Sequence, residues 1–462
     1  MKKLNIIILL LSIILLSFVV VGCSNSNKEP EVLSYDLNAD GKSYSVTGIG
    51  SVVNSNVIIP DEYNGKAVTS IGNNAFINCS SLASVEIPGS VTSIGEFAFS
   101  GCKKLSSIII GSNVSSIGNS AFDDCSFLSK VNYLGTIDEW VQIEFGINNA
   151  NPLIYGENLY INNELLTHVE ITKATKINGY CFENCKSLVS ITLGNSVTSI
   201  GKFAFSGCNA EIKWGDNPSI AIIDSFAFAG YLGTSIEIPN SVNSIEKFAF
   251  DDCNCLKKIT LPFIGESIYG MENAHFGYIF GATNYSENST HVPTSLKEVV
   301  ITGGSLINQF AFSDCSSLIR VEIADSVTSI EKFAFNRCNN LTSVAIGKGV
   351  TSIGNYAFSG CRSLASVEIP NRVTSIEDAA FSDCSSLTSI VIPNSVTLIS
   401  PYAFSGCGML MNVTFENTSG WCRLTSLTAT SGTSILATDL SNTLTAATYL
   451  RGTYTRYYWK RS

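Results

Sequence analysis

Residues 361–384 read CRSLASVEIPNRVTSIEDAAFSDC, and the spacing inside this stretch decides the architecture. Val367 and Ile369 are β-branched and alternate with Ser366 and Glu368, the pattern of a short strand with one face turned inward. Leu364 precedes them on the same apolar side. Pro370 has no N–H for a ladder bond and ends the strand. Val373 and Ile376 return inward on a second extended or irregular segment, and Ala380-Phe381 fill the far wall, the small residue making room for the ring. One such coil cannot close over its own apolar side chains. Stacked copies bury a continuous core, each touching only its neighbours.

The copies are present. Phe312, Phe335, Phe358, Phe381 and Phe404 follow one another at 23 residues, each with a cysteine three positions later, Cys315 to Cys407. The same phase holds at Phe76, Phe99 and Phe122, resumes at Phe182, Phe205 and Phe228, slips by one residue to Phe250, and is stretched at Phe280 and Phe312. A fixed period in the 20–29 range marks a solenoid of short coils. The predicted fold is a β-rich solenoid with ~23-residue coils, one short parallel strand per coil and a second extended segment. Thirteen or so rungs at the strand spacing give a sheet of roughly 60 Å, a face suited to a macromolecule rather than a metabolite.

Most of the 15 cysteines fall at one position per coil. Equivalent positions in adjacent coils lie about 4.8 Å apart, but their side chains run parallel, which disfavours disulfide geometry. They read as a ladder of buried thiols. No C-x2-C pair is present, and Cys181-x3-Cys185 is a coil variant in which Cys181 takes the alanine position, so zinc is not expected. Cys255 and Cys422 lie off the ladder and are the expected free thiols.

Residues 1–22 combine Lys2-Lys3, an apolar run from Leu4 to Val21, and Gly22 before Cys23. That is a secretory leader, and Val20-Val21-Gly22-Cys23 looks like a bacterial lipobox, which implies cleavage and lipidation at Cys23. The competing reading is a transmembrane anchor. The expected product is an exported, membrane-anchored lipoprotein at the cell surface. Residues 23–34 read as a tether, 35–64 as a hairpin cap, 65–415 as the solenoid with irregular inserts at about 132–166 and 263–294, and 416–462 as a β-rich exit cap or add-on. The chain carries 28 basic and 38 acidic residues, net −10; losing Lys2 and Lys3 with the leader makes it −12. An acidic chain with scattered charges argues against nucleic acid and against a polybasic membrane surface, leaving the lipid as the membrane contact.

The unit LxxVxIPxxVTSIxxxAFxxC resembles the BspA-like leucine-rich repeat family, the TpLRR class of bacterial surface proteins, over roughly residues 35–415. The resemblance implies a curved, right-handed leucine-rich-repeat superhelix exposed at the surface. It further implies adhesion to host matrix proteins, other cells or mucosal surfaces. The repeat is scaffold, so it brings no binding residues with it. The two long spacings, Phe122 to Phe182 and Phe250 to Phe312, depart from the plain repeat.

Candidate ligand contacts come from three places. The first insert holds Trp140, Phe145, Tyr155 and Tyr160, and the second holds Tyr269, Phe276 and Tyr278 among glycines that suggest loop. These aromatics either protrude as anchors for a partner, as Trp and Tyr do in binding hot spots, or pack on an enlarged coil. The third place is the outward side of the strands, a stripe of small and mixed-charge groups including Ser84, Glu86, Lys130, Asn132, Lys258, Glu298, Arg320, Glu322, Ser366 and Glu368. An extracellular protein or glycoprotein is the partner this organisation suits, with a coat protein lacking any dedicated ligand as the alternative.

Enzyme and cofactor signatures are missing. There is no G-x-S-x-G and no H-E-x-x-H. Asp40-Gly41-Lys42-Ser43 carries a GKS fragment, but Asp36 stands where the first Walker glycine belongs. His275 and His291, with Glu272 and Glu287 nearby, match no compact metal motif. No cofactor is expected.

Overall fold

The computed structural model describes residues 33–49, 55–147, 149–268, 270, 272–429 and 431–461. The leader, the lipobox with Cys23, and Tyr269 lie outside the described residues. The chain winds into a β-solenoid of about 16 turns at roughly 23-residue spacing.

Each regular coil gives one strand to a front ladder and a two-residue strand to a rear ladder. Both are parallel and in zero register: Val321 pairs with Val344 and Val344 with Val367, while Ile330 pairs with Ile353 and Ile353 with Ile376. Like therefore stacks on like. Leu341, Leu364 and Leu387 are fully buried in one column, Val350, Val373 and Val396 in another, and Phe335, Phe358 and Phe381 in a third. The rings of the third column stack nearly parallel, with centroids 5.0 and 5.2 Å apart.

The thiols form the next column. Cys338, Cys361, Cys384 and Cys407 each donate to the carbonyl oxygen of the phenylalanine one coil earlier, at 3.0–3.2 Å. Burial pushes these thiols up, Cys125 and Cys407 to about 12, so they are protonated donors rather than nucleophiles. No disulfide links the described cysteines, and Cys255 is the exposed one. On the rear side Thr328 and Thr351 hydroxyls donate to the carbonyls of Ser305 and Thr328, extending the same coil-to-coil bonding outside the core.

Every regular coil also carries two left-handed residues four apart. One sits just before the cysteine position and is Gly101, Asp124, Asn184, Gly207, Gly360, Asp383 or Gly406 in different coils. The other lies two residues before the core phenylalanine and is itself aromatic in most coils, as at Phe97, Phe203, Phe226, Phe310, Phe333 and Tyr356. A bulky residue at positive φ is strained. Here the rings recover stability by stacking on one another: Phe203 on Phe226 at 4.7 Å, Phe310 on Phe333 and Phe333 on Tyr356 at 4.9 Å. This second aromatic column is half-exposed, and Lys202, Lys247 and Lys332 lie over its rings.

The inserts repair the core. In the first, Thr136 and Glu139 form a capping box on the short helix Ile137–Trp140. That helix turns Trp140 inward against Tyr133 and Phe145, and its indole N–H donates to the Cys181 carbonyl at 2.8 Å. Asp138 accepts from the backbone N–H groups of Thr172, Lys173 and Ala174, which fastens the insert to the following coil. In the second, the 3₁₀ helix Phe276–Phe280 carries the core across: Phe280 lies near Phe250, Phe276 near Phe312, and the two touch each other. Buried Asn288 supplies the bonds a regular coil would have made, accepting from Gly277 N–H and donating to the Ser313 carbonyl. The loop expected from the glycines is therefore a compact, helical detour.

These detours differ in one consequence. The first interrupts both ladders, whereas the second interrupts only the rear one: Lys258–Leu261 pairs directly with Glu298–Ile301. The front sheet from Ser235–Glu237 to Asn412–Phe415 is an unbroken run of 8 strands.

At the N-terminal end Leu33–Leu37 and Ser43–Ile49 form an antiparallel hairpin. Asp40 accepts from the N–H groups of Lys42 and Ser43 in its turn, so the GKS fragment is hairpin geometry. At the other end Tyr458–Arg461 pairs antiparallel with Leu398–Ile399 and with Trp421–Leu424. Two short helices, Ala437–Ser441 and Thr443–Thr448, pack beside Asn412–Phe415.

Candidate binding face

The front sheet presents two outward columns. Lys258, Glu298, Arg320, Ser343, Ser366, Ser389 and Asn412 stand in register along one. Thr260, Val300, Glu322 and Ala345 begin the other, which continues past Glu368 to Val391 and Thr414. The four charged candidates of this face neutralise one another. Lys258 pairs with Glu298 at 3.8 Å, and Arg320 donates from Nε to Glu322 at 3.0 Å. All four are about half exposed, so such pairs contribute little to stability and serve to hold the charges in place.

Beyond Arg320 the bulk falls away. Ser343, Ala345, Ser366 and Ser389 form the floor of a concave groove of about 790 Å³ that reaches Asn412, Thr414 and Glu416. Ile346, Ile369, Pro393 and Val391 give it apolar surface, Val391 being 48% exposed. Glu368 and Glu416 stand along it as acids, and Glu416 accepts from Asn394 N–H at 2.8 Å. The volume is in the range of ligand pockets, and the lining mixes apolar and polar groups about equally. The groove's geometry follows from the sequence: three successive coils place Ser343, Ser366 and Ser389 where a long side chain would fill the space, with Ala345 beside the first.

The remaining candidates divide. Tyr160 does face outward on the front sheet, opposite Asn132 in register, with the Lys130 ammonium 5.0 Å from its ring. Tyr155 is half-buried and its hydroxyl accepts from Asp124 N–H at 3.2 Å. Trp140, Phe276 and Tyr278 are buried, so the protruding-anchor expectation is corrected for these three: Phe276 bridges the phenylalanine column towards Phe312, Trp140 packs on Tyr133 and Phe145, and Tyr278 lies edge-on to His275. Asn132, expected on the outward face, is also buried, because Asn163 of the hairpin that follows Leu159–Ile161 covers it and bonds to it in both directions. Burial lowers the pKa of His275 and keeps it neutral among core residues, while His291 Nδ1 faces the Glu287 carbonyl. No cluster of potential metal ligands occurs among the described residues.

A coiled ladder of this period defines a leucine-rich-repeat solenoid. The chain belongs to the BspA-type leucine-rich repeat family: the model of the BspA type leucine rich repeat region, in 6 copies, matches residues 54–151, 153–278 and 305–425. Among solved structures it is similar to a leucine-rich cell surface protein from Faecalibacterium prausnitzii, 28% identical over 86% of this chain and 96% of that one, TM-score 0.36. It is also similar to a leucine-rich repeat protein from Bacteroides ovatus, 25% identical over 83% and 93% of the two chains, TM-score 0.48. Comparison with curated proteins gives no match.

Proposed function

We propose that the protein is a lipid-anchored binding protein of the cell surface, adhesin-like, which engages an extended segment of an extracellular protein or glycoprotein in the front groove between Arg320 and Glu416. The groove supports this reading by itself: it is concave, its floor is small and neutral, and it lies on a front sheet whose 8 strands run unbroken. Lipidation at Cys23 rests on the lipobox, and no helix among the described residues is long and apolar enough to cross a membrane. Many copies held on one surface turn modest single contacts into strong attachment.

Filling the groove tests the proposal without touching the core. Ser366→Trp and Ala345→Arg point outward, so the thermal midpoint should move little. Retention of extracellular-matrix and cell-surface glycoproteins should fall at least tenfold, read by pull-down and by saturation binding. Binding that both variants leave unchanged assigns the partner to another surface, and the absence of any saturable partner favours the coat protein. Deleting 263–294 cannot serve here, because Phe276 and Phe280 belong to the core.

A further inference from the structure

Away from the front sheet, a furrow of about 440 Å³ lies between the half-exposed aromatic column and the turns that precede the cysteines. One wall is the edges of the Phe333 and Tyr356 rings. The other carries Arg337 and Arg362 from successive coils. Neither guanidinium takes part in an ion pair, hydrogen bond or cation–π contact among the described residues. Asp383, in the next coil, is the single acid in the lining, so the furrow keeps one net positive charge on a chain of net −10.

Arg337 is out of place by the rules of its own repeat. It has φ +59 at the position before the cysteine, where other coils put Gly, Asn or Asp. Those residues enter the left-handed region readily; a long side chain does not. Gly360 occupies the same position in the next coil, also at positive φ, and lies beside the Arg337 side chain, its Cγ within ordinary contact distance. A long cationic side chain at positive φ that lines a cavity is held there at a conformational cost, as residues at functional sites are.

We propose that this furrow binds an oxyanion-bearing saccharide, sulfated or carboxylated. Two free guanidiniums from adjacent coils suit the forked geometry of sulfate or carboxylate. Asn336, Asn339 and Ser359, whose side chains make no hydrogen bonds among the described residues, supply partners for hydroxyl groups, and the ring edges supply apolar surface for the sugar's C–H face. A peptide fits less well. The backbone N–H groups of Asn336, Arg337 and Gly360 are already committed to Phe333, Ser359 and Ser382 carbonyls, which leaves few main-chain donors for a second chain.

The test uses the full chain at physiological salt with four probes: a heparin oligosaccharide, polysialic acid, neutral dextran and poly-glutamate. One or both anionic saccharides should bind saturably and dextran should not. Arg337→Gly and Arg362→Gln should each weaken that binding at least tenfold, with the Arg337→Gly melting temperature unchanged or raised because the strain is gone. The two anionic probes separate sulfate from carboxylate recognition. The proposal is overturned if neither saccharide binds, or if both variants stay within twofold of the parent. It is equally overturned if poly-glutamate binds as tightly with the same dependence on arginine, which would make the furrow a site for acidic peptides.

Discussion

Replacing Phe358 by alanine is expected to destabilise the solenoid by about 3–5 kcal/mol. The ring is fully buried and sandwiched between Phe335 and Phe381 at 5.0 and 5.2 Å. Its two neighbours cannot close the gap, since zero-register ladders on both faces fix the coil rise. The Phe358 carbonyl also accepts the Cys384 thiol, so a local shift loosens the thiol column too. Because each coil contacts only adjacent ones, the damage should be regional. Hydrogen exchange should report it as lost protection from about residue 335 to residue 384, together with a lower denaturation midpoint. A loss below about 1 kcal/mol would mean that the column is not tightly packed.

Ending the chain after Glu416 is expected to have a still larger effect. Trp421 and Trp459 are buried, and Trp459 stacks on Phe415 with centroids 6.1 Å apart. Each tryptophan removes some 150–250 Å² from water, so losing the pair forfeits on the order of 10 kcal/mol of apolar burial. The truncation also frees Leu398–Ile399 from its antiparallel partner and uncovers Asn412–Phe415, leaving strand edges that template association. The truncated chain should elute as soluble aggregate in size-exclusion chromatography, or melt well below the full one. A monomer with an unchanged melting point would show that residues 417–462 do not cap the solenoid.

Much of this fold was legible in the sequence because the repeat constrains it many times over. Leu364, Val367, Ile369, Val373, Ile376 and Phe381 each recur at fixed spacing, and one consistent set of inward columns accommodates them. The thiol ladder followed from the same phase. What the period could not give was the interior of each interruption. Trp140 and Phe276 look like surface anchors when read as residues of a long insert, yet each interruption needs large rings to fill its interior: Trp140 packs on Tyr133 and Phe145, and Phe276 with Phe280 bridges Phe250 to Phe312. The left-handed aromatic column was missed for a related reason: Phe and Tyr are poor residues for positive φ, and only stacking against an equivalent neighbour makes them acceptable. The front groove left a fainter signal, the run of Ser343, Ala345, Ser366 and Ser389, visible only once strand direction and register are known.

The stacking of equivalent coils is tested most directly by the thiols. Under native conditions with excess maleimide, mass spectrometry should find Cys255 modified first and the ladder residues Cys338, Cys361 and Cys384 unmodified until denaturant is added, with no disulfide among them. Rapid native labelling of those three, or a crosslink between any two, would contradict the stacked solenoid on which the binding face depends.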